Sequence, residues 1–115
     1  MSVRISGDDI YLTRGDSLYC TVRLVDDNGN EYVPEEGAHL RFAVKKDYSD
    51  TVKLIEKEIP ADTMVLYLTP ADTKELPFGR YVFDVEITLA DGDVFTVIPA
   101  DPGGKAVLRI GNEVN

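Results

Sequence analysis

The stretch MVLYLTPADTKELPFGRYVFDVEITL, residues 64–89, decides the fold class. Apolar side chains recur at every second residue on both sides of its centre, which is the period of a half-buried strand. They are Met64, Leu66 and Leu68 on the first side and Tyr81, Phe83, Val85, Ile87 and Leu89 on the second. Between them, Pro70, Pro77 and Gly79 allow no more than one short turn. A long connection of this kind is how a β-sandwich passes from one sheet to the other.

Length and composition predict one globular domain covering residues 1–115. The chain has 43% hydrophobic and 29% charged residues, which is typical of a folded domain. No apolar run approaches the ~20 residues that a membrane span needs. The first ten residues, MSVRISGDDI, lack an apolar signal-peptide core, so we predict that no signal peptide is present. We therefore expect the protein in the cytoplasm, where it is made.

The formal net charge of −9 restricts the partners. Nucleic acid and anionic membranes both require a basic surface, so we predict that neither is a ligand. The sequence therefore favours partners that are proteins. Identical acidic surfaces repel at low salt, so self-association should strengthen with salt, whereas docking to a basic partner should weaken.

Outside the central stretch, alternating runs separated by turn residues predict further strands, about eight or nine in all. We place them at a short leading segment near Ile5 and at residues 9–13, 17–26, 38–46, 52–59, 93–100 and 105–114. Residues 52–59 have a helical alternative, because Glu56, Lys57 and Glu58 are helix formers, but the short length and Pro60 favour a strand with Leu54 or Ile55 inward. In 93–100 either Val94 and Ile98 or Phe95 and Val97 face the core.

The pattern predicts an all-β fold, a mostly antiparallel two-sheet sandwich. Its predicted core consists of Leu18, Cys20, Val22, Leu40, Phe42, Leu66, Leu68, Tyr81, Phe83, Val85, Leu108 and Ile110. Tyr81 occupies the position of a corner tyrosine, whose ring packs while its hydroxyl binds loop backbone. We expect edge strands at the leading VRI segment and the terminal VLRIGNEV segment, since neither has the dense lysine or internal proline that protects an edge.

Two turns carry motifs that resemble binding sites. Arg14-Gly15-Asp16 matches an integrin-binding triplet, but Gly-Asp between alternating runs is ordinary turn chemistry. The cluster at residues 26–30, DDNGN, suggests calcium, yet Leu24 stands where an EF-hand needs a carboxylate. Asn-Gly between apolar runs is instead a strong hairpin signal. We interpret both motifs as turns.

No residue pattern predicts catalytic, cofactor-binding or metal-ligating residues. Cys20, the only cysteine, belongs to the alternating core set, so we interpret it as a buried hydrophobe. His39, the only histidine, lies on the polar side of its strand and has no ligand partner at a suitable spacing. Four outward tyrosines, Tyr11, Tyr19, Tyr32 and Tyr67, form either a recognition patch or cross-strand pairs.

The order of several short motifs resembles a known family. They are LTRGDS from Leu12, FAVKK from Phe42, LTPADT from Leu68, GRYVFDVE from Gly79, the Asp91-Gly92 turn and GNEV from Gly111. The chain is similar in these motifs to prophage proteins of Gram-positive bacteria that are related to the amino-terminal domain of upper baseplate proteins of the BppU type. The resemblance implies an immunoglobulin-like antiparallel two-sheet sandwich located in the virion, or in the host cytoplasm before assembly. It supplies no catalytic residues, cofactor or metal.

We therefore expect a non-enzymatic phage or prophage structural protein that binds other tail or baseplate proteins or itself. The sequence ends at Asn115 without a fibre or receptor-binding region, so a stand-alone phage accessory protein is equally compatible with the resemblance. The alternatives are an extracellular adhesion or carbohydrate-binding module and a small glycan hydrolase. The hydrolase predicts a concave pocket that holds two acids about 5–10 Å apart.

Overall fold

The computed structural model describes residues 3–4, 9–24, 28, 30–98 and 106–111. This part of the chain contains nine strands and one short helix. In chain order they are β1 (Val3–Arg4), β2 (Asp9–Thr13), β3 (Leu18–Thr21), β4 (His39–Lys45), β5 (Ile55–Ile59), β6 (Val65–Leu68), α1 (Pro70–Lys74), β7 (Gly79–Thr88), β8 (Val94–Ile98) and β9 (Ala106–Gly111). The all-β prediction is confirmed, and residues 52–59 contain a strand instead of a helix.

The strands form two sheets. The smaller sheet has the order β1-β3-β6, and the larger has the order β2-β9-β7-β4-β5, with β8 also paired to β7. Two strands share one edge of β7: β9 pairs with Gly79–Phe83, and β8 pairs with Val85–Thr88. The long strand β7 therefore organises the larger sheet, as the central stretch of the sequence predicts.

Two pairings depart from the predicted antiparallel arrangement. β1 runs parallel to β3, and β2 runs parallel to β9. After β2 the chain turns at Gly15, which has a φ of +89°, and enters the smaller sheet as β3. β2 therefore does not pair with the strand that follows it but with the last strand, whose direction it shares. The sheets are mixed, although the remaining strand pairs are antiparallel.

Buried apolar side chains from both sheets form one core cluster. Every residue of the predicted core is buried, and Leu40, Phe42, Leu66, Leu68, Val85 and Leu108 are completely inaccessible. The rings of Phe42 and Phe83 pack with centroids 5.3 Å apart. Period-two burial thus follows the sequence pattern closely, because the wrong register would place the whole apolar set in water.

Strand β8 follows neither of the predicted registers in full. Ile98 is buried and Val97 is half-buried, but Val94 and Phe95 are both exposed. The pairing with β7 shifts by one residue between Val85 and Glu86, so Val97 is an extra residue on β8. Such a bulge bends the strand. The first half of β8 consequently extends past the core as one arm of a hairpin.

The predicted edge strands are only partly right. β1 is an edge of the smaller sheet, but β9 lies between β2 and β7 and is an interior strand. The other edges among the described strands are β2, β5, β6 and the free side of β8. The prediction for β9 was wrong because β2 pairs with its outer side, a long-range contact that alternation does not reveal. The predicted hairpin turn at residues 26–30 lies mostly outside the described residues.

Candidate interaction surface

One side of β8 pairs with none of the described strands, and exposed apolar side chains lie beside it. We call this side the free edge of β8. The hairpin from β7 closes at Leu89, whose N–H donates to the carbonyl of Asp93 at 2.8 Å, while Gly92 at a φ of +97° supplies the turn. In an antiparallel ladder, hydrogen-bonded and non-bonded pairs alternate from that point. The N–H and C=O of Phe95 therefore face β7.

By the same alternation, the N–H and C=O groups of Val94 and Thr96 point away from β7 towards the free side of β8. The side chains of Val94 and Phe95 are 52% and 54% exposed. No described strand pairs with this side of β8. The edge can accept a further strand from another chain, with backbone hydrogen bonds supplying the affinity and the apolar side chains supplying contact area.

A tyrosine corner fixes the connection between β6 and β7, at the end of β7 away from this hairpin. The Tyr81 hydroxyl donates to the carbonyl of Pro77 at 2.6 Å, which confirms the predicted role. Burial raises the pKa of Tyr81, although Arg14 opposes the shift. Thr73 is fully buried, and its Oγ1 accepts a hydrogen bond from the Gly15 N–H at 3.2 Å. This bond ties α1 to the Arg-Gly-Asp triplet, which lies in a turn as predicted.

Asp72 closes the start of α1. Its Oδ2 accepts the Thr69 N–H at 2.7 Å and lies 3.0 Å from Nζ of Lys57. Burial pushes the pKa of Asp72 upward, but hydrogen bonds from Thr69 and Lys57 outweigh it and leave that pKa lowered. The carboxylate is therefore a structural cap that links the connection to β5.

Tyr48 bridges a break in the larger sheet. It follows β4 in a polar bend, and its hydroxyl donates to the carbonyl of Phe83 at 2.7 Å and accepts the Ala106 N–H at 2.9 Å. Phe83 and Ala106 form the last register pair between β7 and β9, just before β8 takes over. Sequence reasoning missed this role, because a tyrosine in a polar loop gives no sign of the ladder that it completes.

The four outward tyrosines do not form one patch. Tyr19 and Tyr67 are direct cross-strand partners, with ring centroids 4.4 Å apart and planes within 13° of parallel. A hydrogen bond with Tyr67 raises the pKa of Tyr19. Tyr11 lies on β2 of the other sheet, and Tyr32 lies in the segment that follows β3. Cross-strand pairing therefore explains two of the tyrosines, and no recognition patch joins all four.

A shallow cavity of about 260 Å³ lies on the outer face of β4, β5 and β7. Its lining includes His39, Arg41, Glu58, Glu86 and Thr88. His39 does have a carboxylate partner, since its Nδ1 lies 3.2 Å from Oε1 of Glu58 on the neighbouring strand. Sequence spacing could not reveal this cross-strand contact. Both side chains are about two-thirds exposed, at 70% and 68%, so water surrounds most of the pair.

The thiol of Cys20 is part of the core. Cys20 is 1% exposed, and burial raises the pKa of its thiol to about 11. Within the described ranges, no group of three or more His, Cys, Asp or Glu side chains is arranged to hold a metal ion. No helix of the described chain is long and apolar enough to span a membrane.

Comparison with known proteins adds no family to this geometry. No protein-family model matches the chain, and no curated protein matches it either. Function must therefore be argued from the surfaces described above.

Proposed function

We propose that this protein is a non-enzymatic structural protein of a phage or prophage tail or baseplate, built as an immunoglobulin-like sandwich, and that it functions by protein–protein assembly. The resemblance of its ordered motifs to baseplate proteins suggests the setting. The free edge of β8 is the single observation that carries the assembly function.

Strand order supports the immunoglobulin-like part of the proposal. In that fold, strands A, B and E share one sheet while C, F and G share the other. Taking β1, β3 and β6 as A, B and E, and β4, β7 and β9 as C, F and G, gives the observed neighbours. The tyrosine corner at Tyr81, near the start of the F-like strand, is a second hallmark.

The exposed edge supports the assembly part. A free strand edge with exposed Val94 and Phe95 is a liability for a protein that works alone, since proteins usually blunt such edges with lysine, proline or a cover. The five residues of β8, VFTVI, contain neither lysine nor proline, and the bulge at Val97 lies after the outward groups of Val94 and Thr96. A partner strand would satisfy the outward N–H and C=O groups of Val94 and Thr96 and bury both apolar side chains.

The test is co-purification with tail proteins. The gene should lie among tail, baseplate or holin genes, and the protein should co-purify with the product of one neighbouring tail gene when both are expressed together. Phe95→Lys should abolish that co-purification, because a lysine on an edge opposes strand pairing. Val52→Lys is the matched control, since Val52 is 66% exposed in a loop remote in sequence from β8. A metabolic or cell-wall gene neighbourhood, together with no captured tail protein, would refute the proposal.

The cavity beside His39 supports a second candidate, a protein that binds or cleaves glycans. Two carboxylates, Glu58 and Glu86, line this one concave surface, and a pair of acids is what that class uses. Glu58→Gln and Glu86→Gln should each abolish oligosaccharide binding or turnover if this candidate is correct. Unchanged or absent glycan binding in all three proteins would eliminate it. We rank it second because the cavity is shallow and the Glu58 side chain is mostly surrounded by water.

A further inference from the structure

One end of the molecule is strongly acidic. The turn at residues 34–37 lies against the β7–β8 hairpin, because a Cβ atom on Gly37 would come within 2.9 Å of Cβ of Ala90. Glu35 and Glu36 in the turn and Asp91 and Asp93 in the hairpin are all exposed. Four carboxylates therefore share this end with the exposed side chain of Phe95. We call the four acidic residues, Glu35, Glu36, Asp91 and Asp93, the acidic end.

Two arginines stand side by side towards the other end of β7. Arg80 on β7 is the direct register partner of Arg109 on β9, and Arg109 is in turn the partner of Tyr11 on β2. All three side chains are exposed and each is followed by a buried residue, so they lie on the outer face of the larger sheet. Directly opposed residues have Cβ atoms about 4.5–5.5 Å apart, close enough for both guanidinium groups to hold one carboxylate.

Neither arginine of this pair has an ion-pair partner among the described residues. Like charges directly opposite each other destabilise a sheet. The chain has 21 acidic and 12 basic residues, yet in the described part of the molecule neither arginine forms an ion pair. Lys46 adds a third positive charge nearby, since its Nζ donates to the carbonyl of Arg80 at 3.3 Å. Within the described ranges, this acidic protein thus presents an exposed basic site that forms no ion pair with its own carboxylates.

The acidic end cannot reach the arginine pair of its own chain. Arg80 lies at the start of β7, and the hairpin follows its end at Thr88. Eight residues of strand separate the two positions by about 26 Å. Only another molecule can bring these opposite charges together.

We propose that the acidic end of one copy binds the Arg80–Arg109 pair of a second copy, so that the protein assembles head to tail. The inference rests on the proposed assembly function and names a partner and an interface for it. Carboxylates of Glu36 and Asp93 bind the guanidinium groups, and Phe95 packs near Tyr11. Because the two surfaces differ, the contact is heterologous and generates a ring or a filament.

The salt dependence of self-association distinguishes this interface from association that is limited only by net-charge repulsion. Repulsion between acidic surfaces predicts stronger self-association at high salt. Contact between opposite charges is screened by salt, so head-to-tail assembly weakens instead. Sedimentation velocity of the wild-type protein should therefore show larger species at low salt than at high salt.

Complementary charge reversals give the decisive test. The acceptor variant is Arg80→Glu with Arg109→Glu, and the donor variant is Glu36→Lys with Asp93→Lys. Each should lower the self-association constant at least about tenfold, which corresponds to about 1.4 kcal/mol of lost ion pairing. In an equimolar mixture, the native acidic end of the acceptor variant can bind the native arginine pair of the donor variant. The introduced lysines of the donor variant can also bind the introduced glutamates of the acceptor variant. Association should therefore return on mixing. Circular dichroism must show that each variant keeps the wild-type fold.

A control for charge reversal away from the interface is Asp62→Lys, which alters an exposed residue in the turn before β6 and should leave assembly unchanged. A wild-type protein that is monomeric at low salt would overturn the inference, as would variants that assemble like the wild type. No association in the mixture of two folded, individually defective variants would also overturn it. Co-purification with a tail protein through the β8 edge is measured separately, so the proposed function can survive any of these failures.

Discussion

Replacing Tyr48 with phenylalanine tests whether one hydroxyl holds β7 and β9 together where their ladder ends. The hydroxyl relays the Ala106 N–H, at 2.9 Å, to the Phe83 carbonyl, at 2.7 Å. Both residues are at most 1% exposed, so water has little access to the groups that would be left behind. The substitution removes one oxygen atom and leaves the ring in place.

The expected cost is about 2–4 kcal/mol. Each of the two hydrogen bonds contributes roughly 1 kcal/mol net, and each buried group left without a partner costs about 1–3 kcal/mol. The upper ends of these ranges do not add, because the strands can move together to satisfy part of the loss. A loss of this size is a large fraction of the ~5–15 kcal/mol that stabilises a typical domain.

Urea unfolding followed by circular dichroism measures the effect. At an m-value of about 1.5 kcal/mol/M, a loss of 3 kcal/mol lowers the midpoint by about 2 M. Tyr11→Phe is the matched control, since Tyr11 is 67% exposed and should change stability by less than about 0.5 kcal/mol. If Tyr48→Phe were as mild as this control, Ala106 and Phe83 would be pairing directly or through water, and the bridging role would be wrong.

Three further predictions concern the core and its charges. Phe83→Ala should cost about 3–5 kcal/mol in urea unfolding because it empties a fully packed site, whereas a loss below 1 kcal/mol would contradict the core assignment. Asp84→Asn should stabilise the protein at neutral pH. Burial, and then the neighbouring Glu86, raise the pKa of Asp84, so the folded state disfavours the carboxylate above the ordinary value of 3.8. The gain should vanish below that pH in the same unfolding assay, and a pH-independent difference would exclude titration as its cause. The thiol of Cys20, whose pKa burial raises to about 11, should react with a thiol reagent at neutral pH only after urea is added, and rapid labelling of the folded protein would show that the site opens.

The sequence determined the strands and the face that each one buries. Alternation at Leu18-Cys20-Val22 and at Tyr81-Phe83-Val85 fixes side-chain direction residue by residue, and the structure buries all of these side chains. The turns at Gly15 and Gly92 were also predictable from the sequence, because few other residues adopt a positive φ at no steric cost. The corner role of Tyr81 followed from its place before a strongly alternating strand.

Only the tertiary structure decided which strands are neighbours. The pairing of β2 with β9, which makes β9 an interior strand, joins positions about one hundred residues apart, and no local pattern specifies such a partner. The same is true of the His39–Glu58 contact, the Tyr48 bridge and the opposed Arg80 and Arg109. Each depends on the register between different strands. Alternation within one strand indicates only which side chains face the core and which face solvent. The candidate surfaces lie at those juxtapositions, so they emerge when the sheets are assembled and not before.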